Sequence, residues 1–493
     1  MSARPSYASL RLLGYAALVA IGAGFAGLWM ADAGRPPPLG RTTSVVLLAL
    51  VAALPWSLWL RRRCGSVLVA AAHTVSCGVI AASFVRHAPT IYANDLSGHR
   101  GYLGYLKSHL LSPYGYVGGE MWHPPTWYWL QAAVVRAWSF AGRLDDVAVC
   151  QFLAAGSAFA ALAFAARALV VRAGSPAAGR LAALCLLSWP TLLVQSPLLT
   201  TDVPVTIAGL LCFERLLAAT ANPVKTLRRR RLETAWAVAW LAVACKTSGL
   251  PLAAIVAVVT LLLSRRDAGL SAELLRPAVG LRVVVVALSA LLVNSYRLIA
   301  PRLFPSGGGV ASGADGLMHL GGLGHQDTVS FFTRLPTRLL SFQPGTLDSR
   351  SYLQFLFDSS LFGSAPHAFH AGWAVALMRL GALLLLAAGA WQLAVRLQRA
   401  LRGLPGARLH PLETTSLVMV GVMLASGVAF TLLRKMHWCA DFRFIRSLLL
   451  PAFVLEARRV SRQPPGWRQR AAMTPMLVFA GSAVAVVART LLR

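Results

Sequence analysis

Four stretches and one lone lysine hold most of the side chains that could do chemistry. Tyr92-Ala-Asn-Asp95-Leu-Ser-Gly-His99-Arg100 sets a carboxylate and an imidazole four residues apart, which one helical face would hold together. Further on, Gly119-Glu120-Met-Trp-His123-Pro124-Pro125-Thr-Trp-Tyr128-Trp129 joins an acid, a second imidazole and a run of aromatic rings. His123-Pro-Pro suits a helix start, because proline costs nothing in a first turn. The rings suit an interfacial aromatic belt, or stacking on a sugar. Thr200-Thr201-Asp202-Val203-Pro204 offers a carboxylate at a turn. Asp202 reads either as a helix N-cap or as a cation ligand or general base. Lys246 separates two apolar segments; it is either a snorkelling residue at a helix end or a functional charge near the membrane. Arg434-Lys435-Met-His437-Trp-Cys-Ala-Asp441-Phe-Arg443-Phe-Ile-Arg446 crowds positive charge into a short loop. That crowding calls for an anionic partner, a phosphate or lipid head group, with an Asp441–Arg443 surface pair as the plain alternative.

The elements that must position these residues are membrane helices. Of 493 residues, 57% are apolar and 13% charged, with 47 Lys or Arg against 17 Asp or Glu and a net charge of +30. A water-facing surface needs roughly a quarter of residues charged, so a soluble protein is excluded. The basic surplus is that of cytoplasmic loops and gives no reason to invoke nucleic acid. Apolar runs mark spans near 10–31, 42–60, 66–85, 148–171, 180–199, 203–219, 235–247, 249–263, 281–299, 371–396, 412–433, 446–457 and 472–489, an all-α polytopic protein of about thirteen helices. The run from Leu12 to Ala31 exceeds a signal-peptide core and reads as an uncleaved first helix.

Arg61 to Arg63, Arg228 to Arg231, Arg265-Arg266, the 396–408 stretch and Arg458 to Arg470 all fall on one side, the cytoplasm, by the positive-inside rule. This holds only if the 126–140 segment, apolar but short, lies at the interface or dips in without crossing. Five regions follow. They are an N-terminal three-span segment (1–85), a first large outer loop (86–147), core helices (148–299), a second outer loop (300–370) and C-terminal helices (371–493). Seven cysteines form no CxxC pair, which removes a redox centre and a thiolate zinc site. The one GxGxxG match, Gly22, Gly24 and Gly27, lies inside the first span and suits helix packing.

In order and spacing across about 90–450, these motifs resemble the membrane-embedded GT-C glycosyltransferases, in the group related to protein O-mannosyltransferases and lipid A aminoarabinose transferases. The resemblance runs through Asp95 and His99, through Glu120 with His123-Pro124-Pro125 and Tyr128, and through Thr201, Asp202 and Pro204. It continues with Lys246 and its small-residue turn, Phe357 to Gly363, and Asp441-Phe-Arg-Phe-Ile. It implies transfer of a sugar from a polyprenyl-phosphate donor to a glycan, lipid or protein acceptor on the periplasmic or outer face of a bacterial inner membrane. Asp95 would deprotonate the acceptor. Asp202, with His99 beside Asp95, would complete the catalytic group. Glu120, His123, Tyr128, Lys246, Lys435 and Arg443 would bind substrate, the cations facing the leaving phosphate. Asn94 stands beside Asp95, so no two-carboxylate metal site is implied in this loop, and a divalent cation is the one candidate cofactor. The competing reading is a polytopic transporter or lipid flippase, for which charged residues would sit at mid-span.

Overall fold

A computed structural model describes residues 39–87, 93–109, 124–139, 146–196, 200–267, 280, 284–293, 325–343, 351–362, 372–402, 409–434, 442 and 445–492. Regular structure among them is entirely helical. In chain order the helices are α1 (Leu39–Cys64), α2 (Val67–His87), α3 (Ala93–Ser108), α4 (Thr126–Ser139), α5 (Asp146–Arg172), α6 (Pro176–Leu187), α7 (Pro190–Gln195) and α8 (Asp202–Thr220). They continue with α9 (Lys225–Cys245), α10 (Leu250–Arg266), α11 (His325–Thr333), α12 (Tyr352–Phe362), α13 (Trp373–Leu401), α14 (Pro411–Arg434), α15 (Leu449–Ser461) and α16 (Trp467–Leu492). Short 3-10 turns at Thr247–Gly249 and Arg446–Leu448 precede α10 and α15.

Among the described residues, six helices are long and apolar enough to cross a membrane, and shorter apolar helices lie at Val67–Ser83, Pro176–Leu187 and Val284–Val293. The outward surface agrees with that reading. Leu47, Val51, Leu54 and Leu58 recur at helical spacing along α1, and all four are exposed. An apolar stripe turned outward suits hydrocarbon and would be costly in water. Inside, α5 buries Ala154, Ala155, Ala158, Ala161, Ala165, Ala166 and Ala168. Small side chains there let neighbouring backbones approach, which is how helices associate where lipid offers no hydrophobic contrast.

Most expected spans match helices within a few residues. The 180–199 span does not: the helix breaks between Leu187 and Pro190, where proline has no N–H to give. The 235–247 span is the end of a longer helix, since α9 begins at Lys225 and carries the arginine cluster in its first turns. Positive charge at a helix N-terminus opposes the helix dipole. These guanidinium groups instead donate to the carbonyls that close α8 and its turn, Arg231 to Ala218 at 2.6 Å and Arg228 to Asn222 at 2.8 Å. Arg228 also meets Asp267 at 2.9 Å. The 10–31 span and 300–324 lie outside the described residues.

The 126–140 segment forms α4, whose 14 residues reach roughly 21 Å. That falls short of the ~30 Å hydrocarbon core. Its one charge, Arg136, donates from Nε to Lys107 O at 2.9 Å and from Nη2 to Leu106 O at 3.0 Å. Those carbonyls belong to the last turn of α3 and lack intrahelical donors. Arg136 is therefore a cap that locks α3 and α4 into a pair, which explains a charge in an otherwise apolar helix.

Whether α4 crosses decides which loops share a side. With Cys64 and Cys439 replaced, single cysteines at Arg62 and Arg230 should both resist an impermeant maleimide on intact cells, while one at Leu335 should react. Reaction at Arg230 together with protection at Arg62 would show that α4 crosses.

Candidate active site

The centre of the site is built at a helix break. Lys246 ends α9 in extended conformation, φ −162° and ψ 142°, with its N–H on Ala242 O at 2.9 Å. The chain then turns through Thr247-Ser248-Gly249, and Pro251 in the first turn of α10 prevents any continuation of α9. Gly249 is required by close approach: a Cβ there would lie 2.5 Å from the Ala242 carbonyl carbon. The turn aims Lys246 back into the bundle, where its Nζ meets Asp202 Oδ1 at 2.6 Å.

Both partners are buried, Lys246 at 7% and Asp202 at 6% exposure. A snorkelling lysine would reach water, so that reading fails. The N-cap reading of Asp202 fails as well. Thr201 occupies the cap without a side-chain bond, and Asp202 is the first residue of α8, its carboxylate committed to Lys246. Pro204 sits in that first turn, where its missing N–H is no loss.

A second pair flanks the first. α3 is helical through Asp95 and His99, so the two lie four residues apart on one helix, as the spacing predicted. The His99 ring is buried and its Nδ1 lies 2.5 Å from Tyr128 Oη. Tyr128 packs on Tyr102 with ring centroids 4.4 Å apart. Trp127, next in sequence, is buried against Ala154, Val203 and Cys245. Val203 and Cys245 are the chain neighbours of Asp202 and Lys246, so a single tryptophan joins the two pairs. An aromatic belt would set these rings at the lipid interface. Trp127 and Tyr128 are packed inside the protein instead, Trp127 beside the neighbours of the ion pair and Tyr128 against α3.

Part of the basic loop also reaches this region. Arg446 is 3% exposed and lines a cavity of about 10 Å³ with Ser196, Val203 and Thr206, one turn along α8 from Asp202. The cavity is the size of one water. Gly209 makes the approach feasible, because a Cβ there would fall 2.5 Å from Ser447 Cβ. Lys435, Arg443, Glu120 and His123 lie outside the described residues, as does the side chain of Asp95.

A further buried pair joins α12 to α13. Asp358 on α12 accepts from Arg379 of α13 at 2.6 Å and from Gln354 at 2.8 Å. Arg379 also donates to Arg338 O and Gln343 O, both at 3.1 Å, and lies over the Phe362 ring at 5.1 Å. Burial pushes the Asp358 carboxyl up, opposed by the Arg379 charge. The indole of Trp189 and the hydroxyl of Thr191 both donate to Ser360 O at 2.6 Å, and Phe442 N–H donates to Ser359 Oγ at 2.9 Å. α12 is thus tied to α13, to α7 and to the backbone of Phe442 beside a groove of about 400 Å³. Leu386, Leu393, Val420, Leu449 and Phe453 line its apolar length, and Phe357 and Phe442 stand at its outer-loop end. Among the described residues, no three His, Cys, Asp or Glu side chains converge as a metal site would require.

No protein-family model matches the chain, and no curated protein matches it. The crystal structure of ArnT from Cupriavidus metallidurans bound to undecaprenyl phosphate is similar to it, with 15% identity over 80% of this chain and 77% of that one, at a TM-score of 0.38. A likeness at that level fixes no residue of the site.

If the Asp202–Lys246 pair is held as described, Lys246→Met should leave a buried carboxylate uncompensated and cost about 3–5 kcal/mol. Adding Asp202→Asn to Lys246→Met should recover much of that loss. Melting of the detergent-purified protein, followed by fluorescence-detected gel filtration, checks both; additive losses in the double variant would show that the two groups do not interact.

Proposed function

We propose that the chain is a membrane glycosyltransferase of the GT-C kind that takes a sugar from a polyprenyl-phosphate donor. The observation that carries this reading is the desolvated Asp202–Lys246 pair at a helix break in an apolar bundle. Charges kept at such a place are costly and mark a site for a charged substrate. A phosphate arriving beside Lys246 exchanges one anionic partner for another, so the ammonium group is never left bare. The apolar groove supports a lipid-linked donor. From Leu449 to Arg459 along α15 it extends roughly 15 Å, enough to hold several isoprene units laterally while the head group stays near Phe442.

In this reading the acceptor hydroxyl attacks the anomeric carbon and its proton passes to Asp95. The carbon–oxygen bond to phosphate breaks with inversion, and the phosphate leaves with the electron pair toward Lys246, Lys435 and Arg443. Asp202 holds Lys246 and orients the acceptor or a divalent cation. His99, fixed by Tyr128, sits one helical turn from Asp95 and stiffens that wall; Glu120 and His123 complete the acceptor side. The site faces the periplasmic or outer side of the inner membrane.

The second reading is a transporter or lipid flippase, and the break between α6 and α7 is the observation on its side, since interrupted helices build transport sites.

Asp95→Asn should insert and melt like the wild type while transfer from a polyprenyl-phosphate sugar falls by about 10²–10⁴-fold, the usual contribution of a general base. The assay is radiolabelled sugar transfer in proteoliposomes. Undiminished transfer would remove Asp95 from the role. Wild-type movement of the lipid-linked sugar across the bilayer without transfer would select the flippase.

A further inference from the structure

The other end of the α8–α9 hairpin carries a second polar centre with a different charge balance. Glu214 lies twelve residues along α8 from Asp202, roughly 18 Å away. It is 1% exposed. Three guanidinium groups reach its carboxylate: Arg172 Nη2 at 3.2 Å and Arg167 Nη1 at 3.5 Å on Oε1, and Arg215 Nε at 3.2 Å on Oε2. Arg63 and Arg231 line the same cavity, which measures about 210 Å³. Five fixed positive charges therefore surround one negative charge.

Two of the arginines are held in place by rings. Arg167 lies over Trp59 at 5.9 Å and Arg215 over Phe164 at 5.6 Å, and those two rings meet edge to face at 5.0 Å. Stacking of this kind fixes a guanidinium plane and leaves its N–H edge available. Arg172 is 7% exposed, and its Nη1 is buried with no hydrogen-bond partner among the described residues; Arg167 Nε is in the same condition. Buried donors are ordinarily satisfied. Oriented donors, excess positive charge and a cavity larger than several waters make an anion site, and planar forks suit tetrahedral oxyanions.

We infer that this pocket binds a phosphate-class anion, at the end of the bundle that the arginine clusters assign to the cytoplasm. The chemistry is shared by a soluble phosphate or pyrophosphate group and by the head group of an anionic lipid. Glu214 is the permanent counter-charge that keeps the pocket assembled when it is empty. This inference does not depend on the transferase reading, since it uses none of the residues at the opposite end.

The test uses the full chain in nanodiscs of zwitterionic lipid. Pyrophosphate at millimolar concentration, or in a separate arm phosphatidylglycerol added to the disc, should raise the melting midpoint. A rise with pyrophosphate identifies a soluble ligand, and a rise with the lipid alone identifies a head group. Arg63→Gln combined with Arg231→Gln, which spares the three groups on Glu214, should weaken the effective anion by about tenfold or more. Arg62→Gln, an exposed neighbour outside the pocket, should not. No midpoint shift with either anion, or equal weakening by Arg62→Gln, would overturn the inference.

Discussion

The bundle depends on the contact between Asp202 and Lys246. Moving two charges out of water costs several kcal/mol per ion, and their attraction repays this only when geometry is close and remaining groups are satisfied. That requirement explains features otherwise unrelated in sequence. α9 must stop at Lys246, hence Gly249 and Pro251. α8 must start at Asp202, hence Pro204 in its first turn. The space around the pair must be closed, hence Trp127 against Val203 and Cys245.

The same rule governs the outer loop. The 11 residues of α12 bury Tyr352, Phe355, Phe357, Leu361 and Phe362, and polar contacts fix where that apolar face sits. Asp358 and Arg379 attach it to α13, and the bonds to Ser359 and Ser360 attach it to α7 and to the backbone at Phe442. These links hold the Phe357 end of the groove against α7, α13 and Phe442. Polar contacts position; apolar surface fills.

Helix existence was legible in the sequence because hydropathy averages over many residues. Single breaks were less so. The stop at Lys246 could be read, since charge, small residues and proline coincide there. The stop at Pro190 was hidden inside an apolar run whose hydropathy hardly changes. The site was legible in part for a similar reason. Asp202 and Lys246 each stood out by being rare, yet nothing in a sequence separation of 44 residues shows that they touch. Asp358 and Arg379 could not be paired from sequence, because only tertiary packing removes water from both. The aromatic run before α5 stayed open in the sequence for the converse reason: tryptophan beside a charged loop has the composition of a membrane interface whether it faces lipid or protein.

The two ends of the α8–α9 hairpin turn the charge surplus of +30 into structure in opposite ways. At the Lys246 end, a buried ammonium meets a buried carboxylate, with Arg446 one turn along α8. At the Arg231 end, topology supplies cations in excess, and Glu214 neutralises one charge of five. In the proposed transferase the first arrangement would let a phosphate replace Asp202 as the partner of Lys246, whereas the second carries positive charge in excess of its one carboxylate.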